Sequence, residues 1–192
     1  MPPLVSICIP SFNRPQQLND LLNSLDCDCT KVEIMICEDS APKRIEVRET
    51  VEEFREKSKY KIEYNENDKN LGFDGNLRNL VQLATGEFII FMGDDDLFVP
   101  GKLDIFLKFL EENDNFKYIL RSYLTIHKNG MTELFQYLPE VKMLPAGPET
   151  VAWLFKRSVN LSGFTISRSE ALKFSTDKLD GTLLYQVYLM SQ

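Results

Sequence analysis

The sequence predicts an α/β domain built around a mostly parallel central sheet. Three observations predict it. Short apolar runs alternate with amphipathic helical patterns through the first half of the chain, one run (Phe88-Ile89-Ile90-Phe91-Met92) is apolar throughout like a buried strand, and three runs end in polar residues. The 192 residues suit one domain with a sizeable core and are too few for two ordinary ones. The first 100 or so residues carry the regular alternation, and residues 101–192 are less regular.

Residues 4–9 form the first predicted strand. Pro15 then stands where a helix can begin, and Leu18, Leu21, Leu22 and Leu25 recur on one helical face. Residues 32–37 are a second strand ending in Glu38-Asp39, followed by a charged helix over 43–57 with Val47, Val51 and Phe54 on its apolar side. Residues 60–64 alternate as a third strand, and 65–75 read as a polar loop. A helix carrying Leu77, Leu80, Val81 and Ala84 ends near Gly86, ahead of the strand over 88–92. Leu103, Phe106, Leu107 and Leu110 mark the next helix.

In the second half, 118–126 and 131–138 are predicted strands joined by the turn Lys128-Asn129-Gly130, which would add antiparallel members to the sheet. A short helix over 149–155 holds the single tryptophan, Trp153, and a strand over 164–166 precedes a helix over 168–174. The last helical run, 182–190, stops at Gln192 without a glycine cap, a basic last turn or a proline. That ending leads us to expect further natural sequence beyond it.

A net charge of −7 argues against a nucleic-acid binder, which normally carries a basic face. It leaves room for a nucleotide bound through a cation that bridges two negative partners. No apolar stretch approaches the length of a membrane span and the N-terminus lacks the pattern of a secretory signal, so a cytoplasmic place is expected. The four cysteines agree, since Cys8 and Cys37 fall inside predicted strands and Cys27-Asp28-Cys29 has no second pair at zinc-ligand spacing.

Gly93-Asp94-Asp95-Asp96, directly after the apolar strand, carries the sharpest chemical signal. Three anions held close together repel one another unless a cation sits among them, and a cation held by few carboxylates keeps positions open for phosphate oxygens. The competing reading is an acidic turn at the start of the next helix. Two other strand ends weigh on the choice: Pro10-Ser11-Phe12-Asn13-Arg14 and Glu38-Asp39-Ser40. In an open parallel sheet, ligands bind outside the carboxyl ends of the strands. Three polar ends on one edge therefore favour a nucleotide and metal site over a set of caps.

With these residues the chain resembles the GT-A glycosyltransferases of family 2. The resemblance rests on residues 5–14, on Glu38-Asp39-Ser40, on Asn70-Leu71-Gly72 with Asn76, and on Ala84-Thr85-Gly86-Glu87 leading into the strand and Gly93-Asp94-Asp95-Asp96. It is strong over about the first hundred residues, and the form Gly72-Phe73-Asp74-Gly75-Asn76 is similar to the subgroup with the abequosyltransferases.

The resemblance implies one GT-A domain over residues 1–192, Rossmann-like, with helices on both faces of the sheet and a mixed or antiparallel C-terminal part that receives the acceptor. It implies an inverting transfer from a nucleoside diphosphate sugar, UDP-linked or other, to a saccharide or lipid-linked saccharide during surface polysaccharide synthesis. Such an acceptor would bring the protein to the inner membrane surface. Pro10 and Ser11 would line the nucleoside, Asp39 would hold base or ribose, and Asn70, Gly72 and Asn76 would close over the nucleotide. Asp94 would meet the ribose, Asp95 would help the metal or face the sugar, and Asp96 would coordinate Mn2+ or Mg2+. Asn13 belongs to the same strand-end motif, while Arg14 and Lys69 are cations within reach of a diphosphate.

The place where relatives carry a catalytic carboxylate is taken here by Gln186, which cannot act as a base. Asp180 is the nearest substitute, with Asp177 second, and Asp180 could equally be a helix cap. Two alternatives follow. A sugar-phosphate nucleotidyltransferase would need a glycine-rich basic loop that residues 10–14 lack, and a degenerate nucleotide-binding module would need no base at all.

Overall fold

The structure is a computed structural model that describes residues 2–113, 115–136, 138–155 and 159–192. Alternation along the strands builds its two cores. In β1 (Val5–Ser11) and β2 (Val32–Glu38), Val5, Ile7, Ile9, Val32, Ile34 and Ile36 point to one face of the sheet. There they meet the leucines of α1 (Pro15–Asn23), the valines of α2 (Arg44–Lys57) and, further along, α4 (Lys102–Glu112). Cys8, Met35 and Cys37 point to the other face, against α3 (Gly72–Leu83), α6 (Arg168–Lys173) and α7 (Tyr185–Met190). Burial raises the thiol of Cys8 well above its ordinary pKa and pushes Cys37 up to about 12, so both remain neutral packing groups.

With β3 (Lys61–Glu66), β4 (Phe88–Phe91), β5 (Tyr118–Leu120) and β8 (Phe164–Ser167), the main sheet has the order β3-β2-β1-β4-β8-β5. β3, β2, β1 and β4 run parallel, β8 is antiparallel to β4, and β5 is antiparallel to β8. The chain thus steps outward from β1 to β3 and returns to place β4 on the opposite side of β1. The remaining elements are the ribbon of β6 (Tyr123–Ile126) with β7 (Thr132–Phe135), α5 (Pro148–Leu154) and a 3-10 turn at Leu161–Gly163. Among the described residues no helix is long and apolar enough to cross a membrane.

Five expectations from the sequence are corrected. The strand predicted over 118–126 is two strands in different sheets, because Arg121 breaks it. The Arg121 backbone N–H donates to Gly163 O at 2.8 Å and its guanidinium to Ser162 O at 2.6 Å. The ribbon that follows stays separate from the main sheet, whose antiparallel pairings are those of β8 with β4 and with β5. The predicted strand over 131–138 ends at Phe135, and Tyr137 lies outside the described residues. The polar loop over 65–75 is shorter than expected, since α3 already starts at Gly72, whose φ of 73° and N–H donation to Asn70 Oδ1 at 2.8 Å turn the chain into the helix. The final helix starts at Tyr185, where the buried Asp74 accepts the N–H groups of Leu183 and Tyr185 at 2.8 and 3.0 Å. This cap comes from another helix, so no local signal marks it.

A buried carboxylate sets where β4 enters the sheet. Glu33, fully buried, accepts the Ser6 hydroxyl at 2.6 Å, the Thr85 N–H at 2.7 Å and Lys61 Nζ at 2.8 Å. Burial alone would raise its pKa, but these donors outweigh it and hold the pKa below the ordinary glutamate value. Beside it, a Cβ on Gly86 would lie 2.6 Å from Ser6 N and 2.7 Å from Val5 C. Both are backbone atoms of a central strand and cannot yield. Gly86→Ala is expected to lower stability by about 3 kcal/mol through overpacking, read as a shifted urea midpoint with unchanged slope. A midpoint within error of wild type would show that β1 gives way.

Candidate functional site

The return of the chain between β1 and β4 makes the loops leaving those strands diverge, which opens a crevice at the carboxyl edge of the sheet. A cavity of about 350 Å3 lies there. Its walls are Pro10, Ser11, Phe12 and Arg14 after β1, Asp39 after β2, and Asn70, Gly72, Phe73 and Asn76 at the start of α3. Gly93-Asp94-Asp95-Asp96 after β4 and Leu161 complete them. Two non-glycine residues take left-handed backbone on this edge, Asn13 with φ 64° and Ser40 with φ 58°. Each bends its loop sharply after the strand, and such sparsely populated backbone gathers at functional edges.

The three adjacent carboxylates part company. Asp94 is fully buried, accepting the Phe12 N–H at 3.2 Å and pairing with Arg14 at 2.7 Å. Burial pushes its pKa up to about 6, with Arg14 and the Phe12 N–H pulling down and the neighbouring Asp95 pushing up. Asp95 is half-exposed and also pairs with Arg14. Asp96 is exposed and accepts the Ser162 hydroxyl. The chain turns tightly to do this, with Asp96 N–H donating to Gly93 O at 3.1 Å.

On the opposite wall Asp39 is 4% exposed, and its Oδ1 accepts Asn67 Nδ2 and the Leu71 N–H, both at 2.8 Å. Asn67 Nδ2 also reaches Asn76 Oδ1 at 3.0 Å, Asn76 Nδ2 donates to Cys37 O at 3.0 Å, and Asn79 Nδ2 donates to Asn67 Oδ1 at 2.8 Å. Among the described residues none engages Asp39 Oδ2, which leaves one oxygen for a ligand N–H or O–H. Glu38, next to it, turns inward to accept Ser40 and Ala41 N–H groups and Arg44 Nε.

The structure therefore gathers Pro10, Ser11, Arg14, Asp39, Asn70, Gly72, Asn76, Asp94, Asp95 and Asp96 around one cavity. Asn76 stands there with both amide atoms already committed to protein partners. Asn13 is outside the walls, and its Oδ1 accepts the Lys43 N–H at 3.2 Å ahead of α2. Lys69 lines a second, more open groove of about 890 Å3, shared with Gly75, Arg78 and Asn79 of α3. Asp180 is not brought to the cavity. Its carboxylate pairs with Arg78 at 2.5 Å and lies beside Gly75, so it ties the loop before α7 to the groove side of α3.

Sequence reasoning missed Phe12, Phe73, Asn67 and Ser162. Phe12 offered a signal, an aromatic in a polar turn; the others act through partners distant in sequence.

A family model described as glycosyl transferase family 2 matches residues 6–173. The chain belongs to glycosyl transferase family 2. Among curated relatives, the abequosyltransferase RfbV of Salmonella typhimurium is 32% identical over 109 residues, 56% of this chain and 33% of that protein. The UDP-Glc:alpha-D-GlcNAc-diphosphoundecaprenol beta-1,3-glucosyltransferase WfgD of Escherichia coli is 29% identical over 133 residues, 69% of this chain and 50% of its own length. The crystal structure of S. aureus TarS 1-349 superposes with a TM-score of 0.73 at 19% identity, covering 99% of this chain and 55% of that one. The family-2 chain spans between 33% and 58% of the length of the first curated relatives it matches. Its fold is the GT-A type the resemblance implied, with helices on both faces of the sheet.

Asn67 is the hub on which Asp39 depends. Asn67→Ala leaves buried Asp39 and Asn76 short of a donor and is expected to remove about 1–3 kcal/mol of stability. Chemical denaturation checks it, and a loss below about 0.5 kcal/mol would mean that water replaces the amide.

Proposed function

We propose that this family-2 domain transfers a sugar, with inversion, from a nucleoside diphosphate sugar to an acceptor hydroxyl in surface polysaccharide assembly. One observation carries the reading: the free oxygen of Asp39 and the separated carboxylates of Asp94, Asp95 and Asp96 face the same cavity. A nucleoside fits that pattern, with Asp39 Oδ2 accepting from base or ribose; Asp94, whose oxygens are taken by Arg14 and the Phe12 N–H, would meet a ribose hydroxyl only by exchanging one of those partners. Phe12 and Phe73 add flat apolar surface beside Pro10. Similar proteins support a nucleotide sugar, since WfgD uses UDP-Glc and TarS has been crystallised with UDP and with UDP-GlcNAc. The diphosphoundecaprenol acceptor of WfgD supports a lipid-linked acceptor and a place at the inner face of a membrane.

Mn2+ or Mg2+ belongs to the same proposal. Among the described residues no group of three or more His, Cys, Asp or Glu is arranged to hold a metal unaided. The donors fit a cation that takes only one or two carboxylates and fills its shell with diphosphate oxygens and water. Asp96, exposed and with one carboxylate oxygen uncommitted, would hold it, and Asp95 stands next to it. Such a cation would offset charge on the departing diphosphate. The chain's own residues bind and orient the nucleoside.

Calorimetric titration with UDP and GDP, with and without Mn2+, tests the reading. Mn2+ is expected to strengthen binding of one of them about tenfold or more, and Asp96→Asn to lose that gain while keeping metal-free binding. No nucleotide binding under either condition would sink the proposal. Asp180 is offered a narrower role. Asp180→Asn should leave Mn2+-dependent nucleotide affinity within about twofold and lower stability by about 1 kcal/mol or less, as for a partly exposed ion pair. Loss of sugar transfer in that variant, with affinity intact, would instead make Asp180 the base.

A further inference from the structure

We infer that Ser162 is the positioning residue of Asp96, and that Arg121 holds Ser162 in place. This rests on the reading of Asp96 as the cation-holding carboxylate. The Ser162 hydroxyl accepts the Gly93 N–H at 2.9 Å and donates to Asp96 Oδ2. A serine hydroxyl has one proton. With a lone pair fixed on Gly93, that proton is directed to Asp96, so the carboxylate is held by Oδ2 and presents Oδ1 to the cavity. An exposed aspartate otherwise samples several rotamers. This one is tied to the strand that delivers it.

Gly93 makes the arrangement possible. A Cβ there would approach Asp95 Oδ1 at 3.1 Å, Asp96 Oδ2 at 3.2 Å and Ser162 Oγ at 3.5 Å, so a side chain would displace the carboxylates that fold back over it. Ser162 is in turn fixed from behind. Its N–H donates to Asn160 Oδ1 at 3.2 Å, and its carbonyl accepts Arg121 Nη2 at 2.6 Å. The Arg121 backbone N–H donates to Gly163 O at 2.8 Å, and its guanidinium lies 5.1 Å above the Phe106 ring of α4. A Cβ on Gly163 would meet Arg121 O at 3.2 Å and press on that carbonyl, so glycine suits this close approach.

The strut runs from Phe106 through Arg121 and Ser162 to Asp96. It explains why the strand predicted over 118–126 breaks at Arg121, and it anchors a carboxylate of the donor half on a turn of the second half. Truncating Ser162 should leave the nucleoside contacts untouched, free the rotamer of Asp96 and leave the Gly93 N–H without its acceptor.

Wild type, Ser162→Ala and Ser162→Thr, titrated with UDP with and without Mn2+ and melted in parallel, test the inference; GDP replaces UDP if wild type prefers it. Ser162→Ala is expected to lose about tenfold of the Mn2+-dependent affinity, the worth of one hydrogen bond to a charged group, with metal-free affinity unchanged. Ser162→Thr, which keeps the hydroxyl, should restore the gain. A wild-type gain in Ser162→Ala, an equal loss of metal-free binding, or a threonine variant no better than alanine would each overturn the positioning role. A wild-type protein that binds nucleotide with no Mn2+ effect would overturn the metal reading, and the role of Ser162 with it.

Discussion

Three consecutive carboxylates cannot share one environment, and the carboxyl edge of this sheet is organised around keeping them apart. Each has its own set of contacts: Asp94 the buried Phe12 N–H and Arg14, Asp95 the outer side of the same guanidinium, and Asp96 the hydroxyl of Ser162. The partners come from the loop after β1 and the turn before β8. The triplet thereby fastens two distant parts of the chain to the end of β4. Exchange of any one partner would place like charges together without compensation, and the cost would fall on Asp94, whose burial already raises its pKa.

The facing wall follows a different rule, neutral amides arranged around a single acid. Asp39, Asn67, Asn76 and Asn79 form a connected set in which the buried donors and acceptors find protein partners. Such a set is rigid because breaking one link strands its neighbours away from water. Arg44 extends it, donating to Glu38 and to Asn67 O, so the same anchor fixes the turn after β2 and the loop before α3. The cavity is bounded on one side by charges held apart and on the other by amides held together.

Much of this edge was legible because it is written in consecutive residues. Apolar runs located β1, β2 and β4 to within two residues, and Ser11, Arg14, Asp39 and Asp94 to Asp96, which follow them, line the cavity. What escaped is made by pairs distant in sequence. Ser162 and Asp96 are 66 residues apart, Asp74 caps a helix more than 100 residues on, and Asp180 meets Arg78 across 102 residues. Local pattern assigns a type to each of these residues and no partner. Asn13 escaped for another reason. Its positive φ swings the side chain from the cavity toward Lys43, a consequence of the turn that places Arg14 on the triplet.

Charge accounting gives the argument for a cation a footing beyond motif. The cavity walls hold four carboxylates, Asp39, Asp94, Asp95 and Asp96, against one guanidinium, Arg14. Burial raises the pKa of Asp94 to about 6, still below neutral pH, so its charge counts among them. A diphosphate entering this space would meet repulsion of roughly 3 kcal/mol for each unit charge 5 Å away at an effective dielectric of about 20. Arg14 cannot answer it alone, because its single charge is already shared between two carboxylates, and turning it to the phosphate would uncover both. Lys69 lines the neighbouring groove, and Arg78, which lines it too, is engaged by Asp180. In the proposed reading Asp96 would hold a divalent ion that supplies this charge, and Arg14 would stay where the triplet requires it.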